Sequence, residues 1–127
     1  MRFLPLILIL GACASPRGDG PTRDQEAFSR ELAERQAGTP QTCISNTSSS
    51  TSLTIVDERT ITYREGGTMW VNRLEAACPG MRPLDTLIVQ VHGSQYCRND
   101  LFRVLSSGSR IPGPTCRLGD FTPYRRP

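Results

Sequence analysis

The amino-acid sequence predicts a small, mainly β domain: a small antiparallel barrel or curled sheet of five to six strands, with one N-terminal helix and disulfide ties. Three observations predict it. Short β-branched or aromatic runs recur between Leu53 and Val91, separated by turn residues. Four cysteines, Cys43, Cys78, Cys97 and Cys116, are spread over the same part of the chain. The segment ahead of them, Asp24 to Ala37, has helical spacing and helix-ending signals. Of the 127 residues, 37% are hydrophobic, which suffices for one small core and rules out several spans of about 20 apolar residues each.

The chain starts MRFLPLILILGAC. Arg2 is a short positive region, and Phe3 to Leu10 is an apolar stretch too short to cross about 30 Å of hydrocarbon but suited to an export signal. Leu10-Gly11-Ala12-Cys13 looks like a bacterial lipobox, in which residues 1–12 are removed and the Cys13 thiol takes the lipid. Two or more acyl chains then give stable anchoring where one gives marginal binding. Ala14 stands where an aspartate often retains such proteins in the inner membrane, so the resemblance implies an outer-membrane lipoprotein. The alternative is an ordinary signal cut near Ala12 or Ala14, leaving a soluble periplasmic protein.

Residues 13–22 then form the lipidated cysteine and a flexible tether, because ASPRGDGPT has no apolar surface to bury. A helix is expected over 23–38. Thr22 and Gln25 have capping-box spacing, and Gly38 followed by Pro40 stops the helix. Phe28 and Leu32 lie four apart with Ala33 beside them, so one narrow apolar stripe docks the helix on the edge of the domain. Arg30, Glu31, Glu34 and Arg35 read as its solvated face.

Residues 39–127 make the β domain. Strands are expected at Leu53–Val56, Thr60–Tyr63, Met69–Val71 and Leu87–Val91. Ser45 to Ser52 is low in complexity and reads as a loop or a ragged first strand. In TITYREGGTMWVN, Gly66-Gly67 suits a two-residue turn with positive φ at both positions. That closure pairs Glu65 with Thr68, Tyr63 with Trp70 and Ile61 with Asn72. It makes a half-buried hairpin, with Ile61, Tyr63, Trp70 and Leu74 on one face and Thr62, Arg64, Met69 and Val71 on the other.

Five cysteines are an odd number for an exported chain. The lipobox consumes Cys13, and the other four make an even set for an oxidising compartment. No CxxC is present, so neither a zinc ribbon nor a thioredoxin-like motif is indicated. Four cysteines allow three connectivities. Cys78 with Cys97, flanking the strand Leu87–Val91, and Cys43 with Cys116, tying the two ends, are the favoured pairs.

Charge and chemistry exclude more than they indicate. All 15 basic residues are arginine, against 12 carboxylates, and they are scattered, so the net +3 makes no stripe for nucleic acid. Without lysine there is no Schiff-base amine or Ser-Lys dyad. His92 is the one histidine and sits at a strand end on the wetter face; no GxSxG accompanies it. Asp57-Glu58, Asp100 and Asp120 fall at turns. The reading is therefore not an enzyme, with no metal or cofactor. Convergence of Asp57, His92, Asp100 and Asp120 in one cleft is what an enzyme would require.

Several motifs occur in a definite order: Cys43-Ile44, Val56-Asp57-Glu58-Arg59-Thr60, Gly66-Gly67, Asn72-Arg73-Leu74, Cys78-Pro79-Gly80-Met81, Cys97 before Asp100, and Cys116-Arg117-Leu118-Gly119-Asp120-Phe121. The set resembles a proteobacterial domain-of-unknown-function family of small exported proteins, many with lipoprotein signals, over roughly residues 28 to 124. The resemblance implies a compact, cysteine-containing β domain and brings no catalytic residue.

Two polar residues stand out. Asn72 faces inward beside Ile61, where its amide must satisfy neighbouring backbone or face a ligand in a small cavity near Trp70. Asp120 caps a turn or pairs with Arg117 or Arg73. The functional expectation is a non-enzymatic envelope lipoprotein, held to the membrane through Cys13, whose periplasm-facing domain binds an envelope protein or glycan. The alternatives are a small-molecule or lipid-binding barrel using Trp70 and Asn72, and a soluble periplasmic protein with a structural role.

Overall fold

A computed structural model describes Gly11, residues 20–47 and residues 52–127. The expected export signal, Cys13 with its expected lipid, and most of the expected tether lie outside the described residues. The described chain is mainly β with one helix and two disulfides. Among the described residues no helix is long and apolar enough to cross a membrane.

Helix α1 (Arg23–Ala33) starts as its sequence dictates. The Thr22 side chain accepts from the Gln25 N–H, and the Gln25 side chain accepts from the Thr22 N–H, so two otherwise orphaned donors are satisfied. It ends about four residues earlier than Gly38 and Pro40 suggest. Gln36–Ala37 instead forms an edge strand, β1, opposite Arg125 and Tyr124. Arg35 fixes this change of direction by donating to the carbonyls of Gly67 and Tyr124.

Nine further strands follow: β2 (Cys43–Ser45), β3 (Thr54–Asp57), β4 (Thr60–Glu65), β5 (Thr68–Arg73), β6 (Thr86–Val89), β7 (Gln95–Cys97), β8 (Leu101–Leu105), β9 (Thr115–Arg117) and β10 (Phe121–Arg125). All pairs are antiparallel. They form a five-stranded sheet in the order β1-β10-β5-β4-β3, a pair β2-β7, and a three-stranded sheet β6-β8-β9. The strands thus divide among three open sheets, where the sequence suggested five or six in one barrel or curled sheet. Each sheet keeps two edges, so none closes on itself.

The β4–β5 hairpin has the expected register: Glu65 opposite Thr68, Tyr63 opposite Trp70, Ile61 opposite Asn72. Only Gly66 of the turn has positive φ. The hairpin is not half-buried, however. Ile61, Tyr63, Trp70 and Leu74 enter the main core with Phe102, Phe121 and Leu118. On the opposite face Thr62, Met69 and Val71 are buried as well. The helix supplies the second cover, because Phe28 stacks under the Arg73 guanidinium, 5.8 Å from ring centre, and Glu31 grips Arg64. Glu31 and Arg35, expected on the solvated face, therefore belong to the docked one.

The disulfides join Cys43 to Cys97 and Cys78 to Cys116. This corrects the favoured pairing of Cys78 with Cys97 and Cys43 with Cys116. Cys43 and Cys97 are direct cross-strand neighbours of β2 and β7, with Cα atoms 4.1 Å apart, so the strand register selects the bond. Cys78, fully buried, then reaches β9 and ties the three-stranded sheet to the loop that leaves β5.

Candidate functional site

The polar residues singled out in the sequence fall into separate places. Asn72 is fully buried on β5, and both ends of its amide go to one peptide. Its Nδ2 donates to the Gly119 carbonyl at 2.7 Å, and its Oδ1 accepts from the Gly119 N–H at 2.8 Å. The side chain imitates a strand backbone and seats the start of β10. Only glycine fits opposite, since a Cβ at position 119 would lie 2.0 Å from the Arg73 carbonyl oxygen. Trp70 is also in the core, with 8% of its surface exposed. A ligand cavity at Trp70 and Asn72 is therefore not what these two residues form: packing and backbone pairing occupy them, and neither lines the concavities described below.

Asp57 closes the β3–β4 turn by accepting from the Arg59 N–H, and its other oxygen accepts from Gln25 of the helix. Asp120 pairs with Arg98 at 3.0 Å rather than with Arg117 or Arg73. Arg98 also pairs with Glu75, so one guanidinium joins two carboxylates on different loops. This cluster borders an open concavity of about 320 Å³ lined by Glu75, Pro79, Asn99, Cys116 and Arg117.

His92 and Asp100 do come together. His92 Nδ1 lies 3.6 Å from Asp100 Oδ1, beyond hydrogen-bond reach. Asp100 is 8% exposed, and its Oδ2 accepts from the Cys97 N–H, which holds the turn after β7. The imidazole is mostly in solvent, and among the described residues no serine or cysteine is hydrogen-bonded to it. The contact sets His92, just ahead of the Gly93-Ser94 turn, beside the largely buried carboxylate. Among the described residues no group of three or more His, Cys, Asp or Glu side chains could hold a metal ion.

Two shifted acid–base equilibria accompany this framework. A hydrogen bond from Arg64 holds the Glu31 carboxyl below its ordinary range. Burial pushes the Tyr96 phenol up, and the neighbouring Tyr63, whose ring packs edge-on at 5.8 Å, adds to it.

A concavity of about 630 Å³ lies between the start of α1, Val56 of β3 and the loop Met81–Leu84. A second, of about 510 Å³, lies on the far side of Leu84 against Ser106 and Ser107. Leu84 forms the ridge between them and is 93% exposed. Sequence reasoning passed over this residue and over Ile111, which is 81% exposed. A signal was present: each aliphatic residue stands beside a proline, in Arg82-Pro83-Leu84 and Arg110-Ile111-Pro112, outside any strand. Comparison with known protein families, curated proteins and solved structures finds no match to this chain.

Proposed function

We propose that the chain is a bacterial envelope lipoprotein, acylated on Cys13 and held in the outer membrane, whose periplasm-facing β domain is a non-enzymatic binding module for an envelope protein or glycan. One observation carries this reading. Of five cysteines, four are consumed in two disulfides, and the single cysteine left over is the one in Leu-Gly-Ala-Cys after the apolar leader. Two disulfides also suit an oxidising compartment outside the cytoplasm. The likeness in motif order to small exported proteins agrees with that address and belongs to the same proposal.

Binding, rather than turnover, is favoured by how the titratable residues are spent. Asp57, Asp100, Asp120 and Glu31 each accept from a named backbone or arginine partner. The experiment is metabolic labelling with palmitate in a Gram-negative host. The wild-type chain takes up label and Cys13→Ser does not. An unlabelled wild-type protein, or equal label on both, would overturn the lipoprotein reading. Capture from envelope extract with the oxidised protein as bait, and a reduced sample as control, tests the binding module.

A further inference from the structure

We infer that β6 takes a further antiparallel strand along its free edge, supplied by an extended, uncharged peptide segment of an envelope protein with aliphatic side chains at alternate positions. The inference rests on the binding-module reading, of which it names the surface and the form of the partner. It is independent of acylation at Cys13.

In an antiparallel ladder every second residue bonds a given neighbour, and the residues between direct their N–H and C=O groups the other way. The Gln90 N–H donates to the Leu101 carbonyl at 2.8 Å, and β6 pairs with β8 in unbroken register, Ile88 opposite Arg103 and Thr86 opposite Leu105. Thr86, Ile88 and Gln90 therefore bond β8. Leu87 and Val89 face away from it, and β6 is the edge of its sheet. Among the described residues no backbone group bonds the N–H or C=O of Leu87 or Val89. Two donors and two acceptors thus repeat at about 7 Å along the strand, the spacing that another strand matches.

A concavity of about 420 Å³ opens along that edge. Leu87, Val89 and Val91 line one side of it, Leu53, Tyr96 and Asn46 line the other, and no residue of β8 enters it. Because the edge is one wall of a groove and not a projecting rim, a single extended chain enters it more readily than the edge of a second folded domain. Residues of an added strand opposite Leu87 and Val89 turn their side chains to the same inner face, where Leu53, Leu87, Val89 and Tyr96 pack against the core. Those alternate positions therefore call for aliphatic side chains. Among the described lining residues Asp85 alone is charged, and its oxygens already accept from the N–H groups of Arg82 and Ser107. Backbone hydrogen bonding and shape, not charge, select the occupant.

The other sheet edges carry the features that discourage strand addition. Strand β1 is two residues long, and β2, β7 and β9 are three residues each. Strand β3 is bulged between Ile55 and Asp57, and Gln25 of the helix bonds Asp57 at its end. Strand β9 also ends in Arg117 and follows Pro112 and Pro114. By contrast, Thr86 to Val91 has no charge, proline or glycine, and Ile88 and Val91 are 46% and 44% exposed. An apolar edge left unguarded in this way is a template for pairing with another chain.

The test uses the full, oxidised chain and a capped peptide, acetyl-Gln-Thr-Val-Thr-Val-Thr-Gln-amide, followed by amide exchange and titration calorimetry. In the free protein the Ile88 and Gln90 N–H groups are expected to be protected, and those of Leu87 and Val89 to exchange freely. Adding the peptide protects Leu87 and Val89. The peptide valines lie opposite them, so N-methylating both valines weakens binding about fivefold for each hydrogen bond lost, roughly 25-fold together. N-methylating the threonine between them leaves the affinity unchanged. Val89→Pro removes a donor that faces the groove and none that faces β8, and weakens binding about fivefold. Emission of Trp70, which lies in the core, reports that this variant is folded, and the methylated peptides test the same bonds without altering the protein. Protection of Leu87 and Val89 in the free protein would overturn the inference, because the chain itself or a second copy would then cover the edge. Equal loss from both methylations would overturn it, as would a peptide that leaves Leu87 and Val89 exchanging freely. If envelope capture still retained a partner in that case, the binding-module reading would stand without strand addition.

Discussion

The five-stranded and three-stranded sheets are built from the same kind of sequence, yet they are covered differently. In the five-stranded sheet the β4–β5 hairpin is buried on both faces, by the shared core beneath and by α1 above. In the three-stranded sheet Leu87, Val89, Phe102 and Val104 pack inward, while Ile88 and Arg103, opposite each other on β6 and β8, lie in solvent. Nothing among the described residues lies over that outer face. The first sheet is therefore held by packing, and the second depends on its inner face and on the Cys78–Cys116 bond. The difference separates a rigid platform from the part of the molecule left available for contact.

The largest effect should come from removing that bond. In the chain-entropy picture, cross-linking positions 38 residues apart contributes about 4 kcal/mol. Cys78→Ala with Cys116→Ala should lower the urea-unfolding free energy by about that amount. The loss of amide-exchange protection should be concentrated in β6, β8 and β9. A uniform loss across both sheets would break the comparison.

Truncating apolar side chains sharpens it. Met69 is fully buried although it lies on the face away from the main core, and Met69→Ala should cost about 3 kcal/mol. Ile88→Ala, on the bare face, should cost less than about 0.5 kcal/mol. Equal costs in thermal or urea unfolding would mean that the outer face of the small sheet is covered after all.

Asn72→Ala strands both the N–H and the carbonyl of Gly119, and should cost about 2 kcal/mol. Its signature is loss of exchange protection at the start of β10, ahead of the rest of the five-stranded sheet.

The smallest effect is the Glu31–Arg64 pair that helps hold the helix down. Because the Glu31 carboxyl is depressed in the folded protein, its contribution is present above its ordinary value of 4.5 and is lost as pH falls through the lower folded value. Arg64→Gln should therefore narrow the stability gap from the wild type as pH drops below about 4, and the gap at neutral pH should stay under about 1 kcal/mol for so exposed a pair.

What was legible in the chain was local. Gly66-Gly67 set the hairpin register, and Thr22 with Gln25 marked the helix start. What was not legible depended on pieces meeting in space. Cysteine spacing does not determine connectivity, which here follows from β2 and β7 pairing across a gap of 54 residues. Strand β10 was obscured by Pro123, a residue that normally argues against an inner strand. It is tolerated because N–H and C=O of one residue point to the same side, and the Pro123 carbonyl bonds the Gly38 N–H. The missing donor thus faces the end of short β1, not the ladder with β5. Burial of both faces of the hairpin was hidden as well, since nothing in the local pattern marks Thr62, Met69 and Val71 as interior. At the candidate site, Asn72 was visible as a buried amide, but its partner Gly119 lies 47 residues away. Leu84 and Ile111 read as loop residues because neither belongs to a periodic run.

The most direct measurement is mass mapping of the protein isolated from the envelope, without reduction. The expected result is a mature chain that begins at acylated Cys13 and carries the Cys43–Cys97 and Cys78–Cys116 bonds. An unmodified Cys13, or Cys13 found in a disulfide with one of the other four, would contradict it.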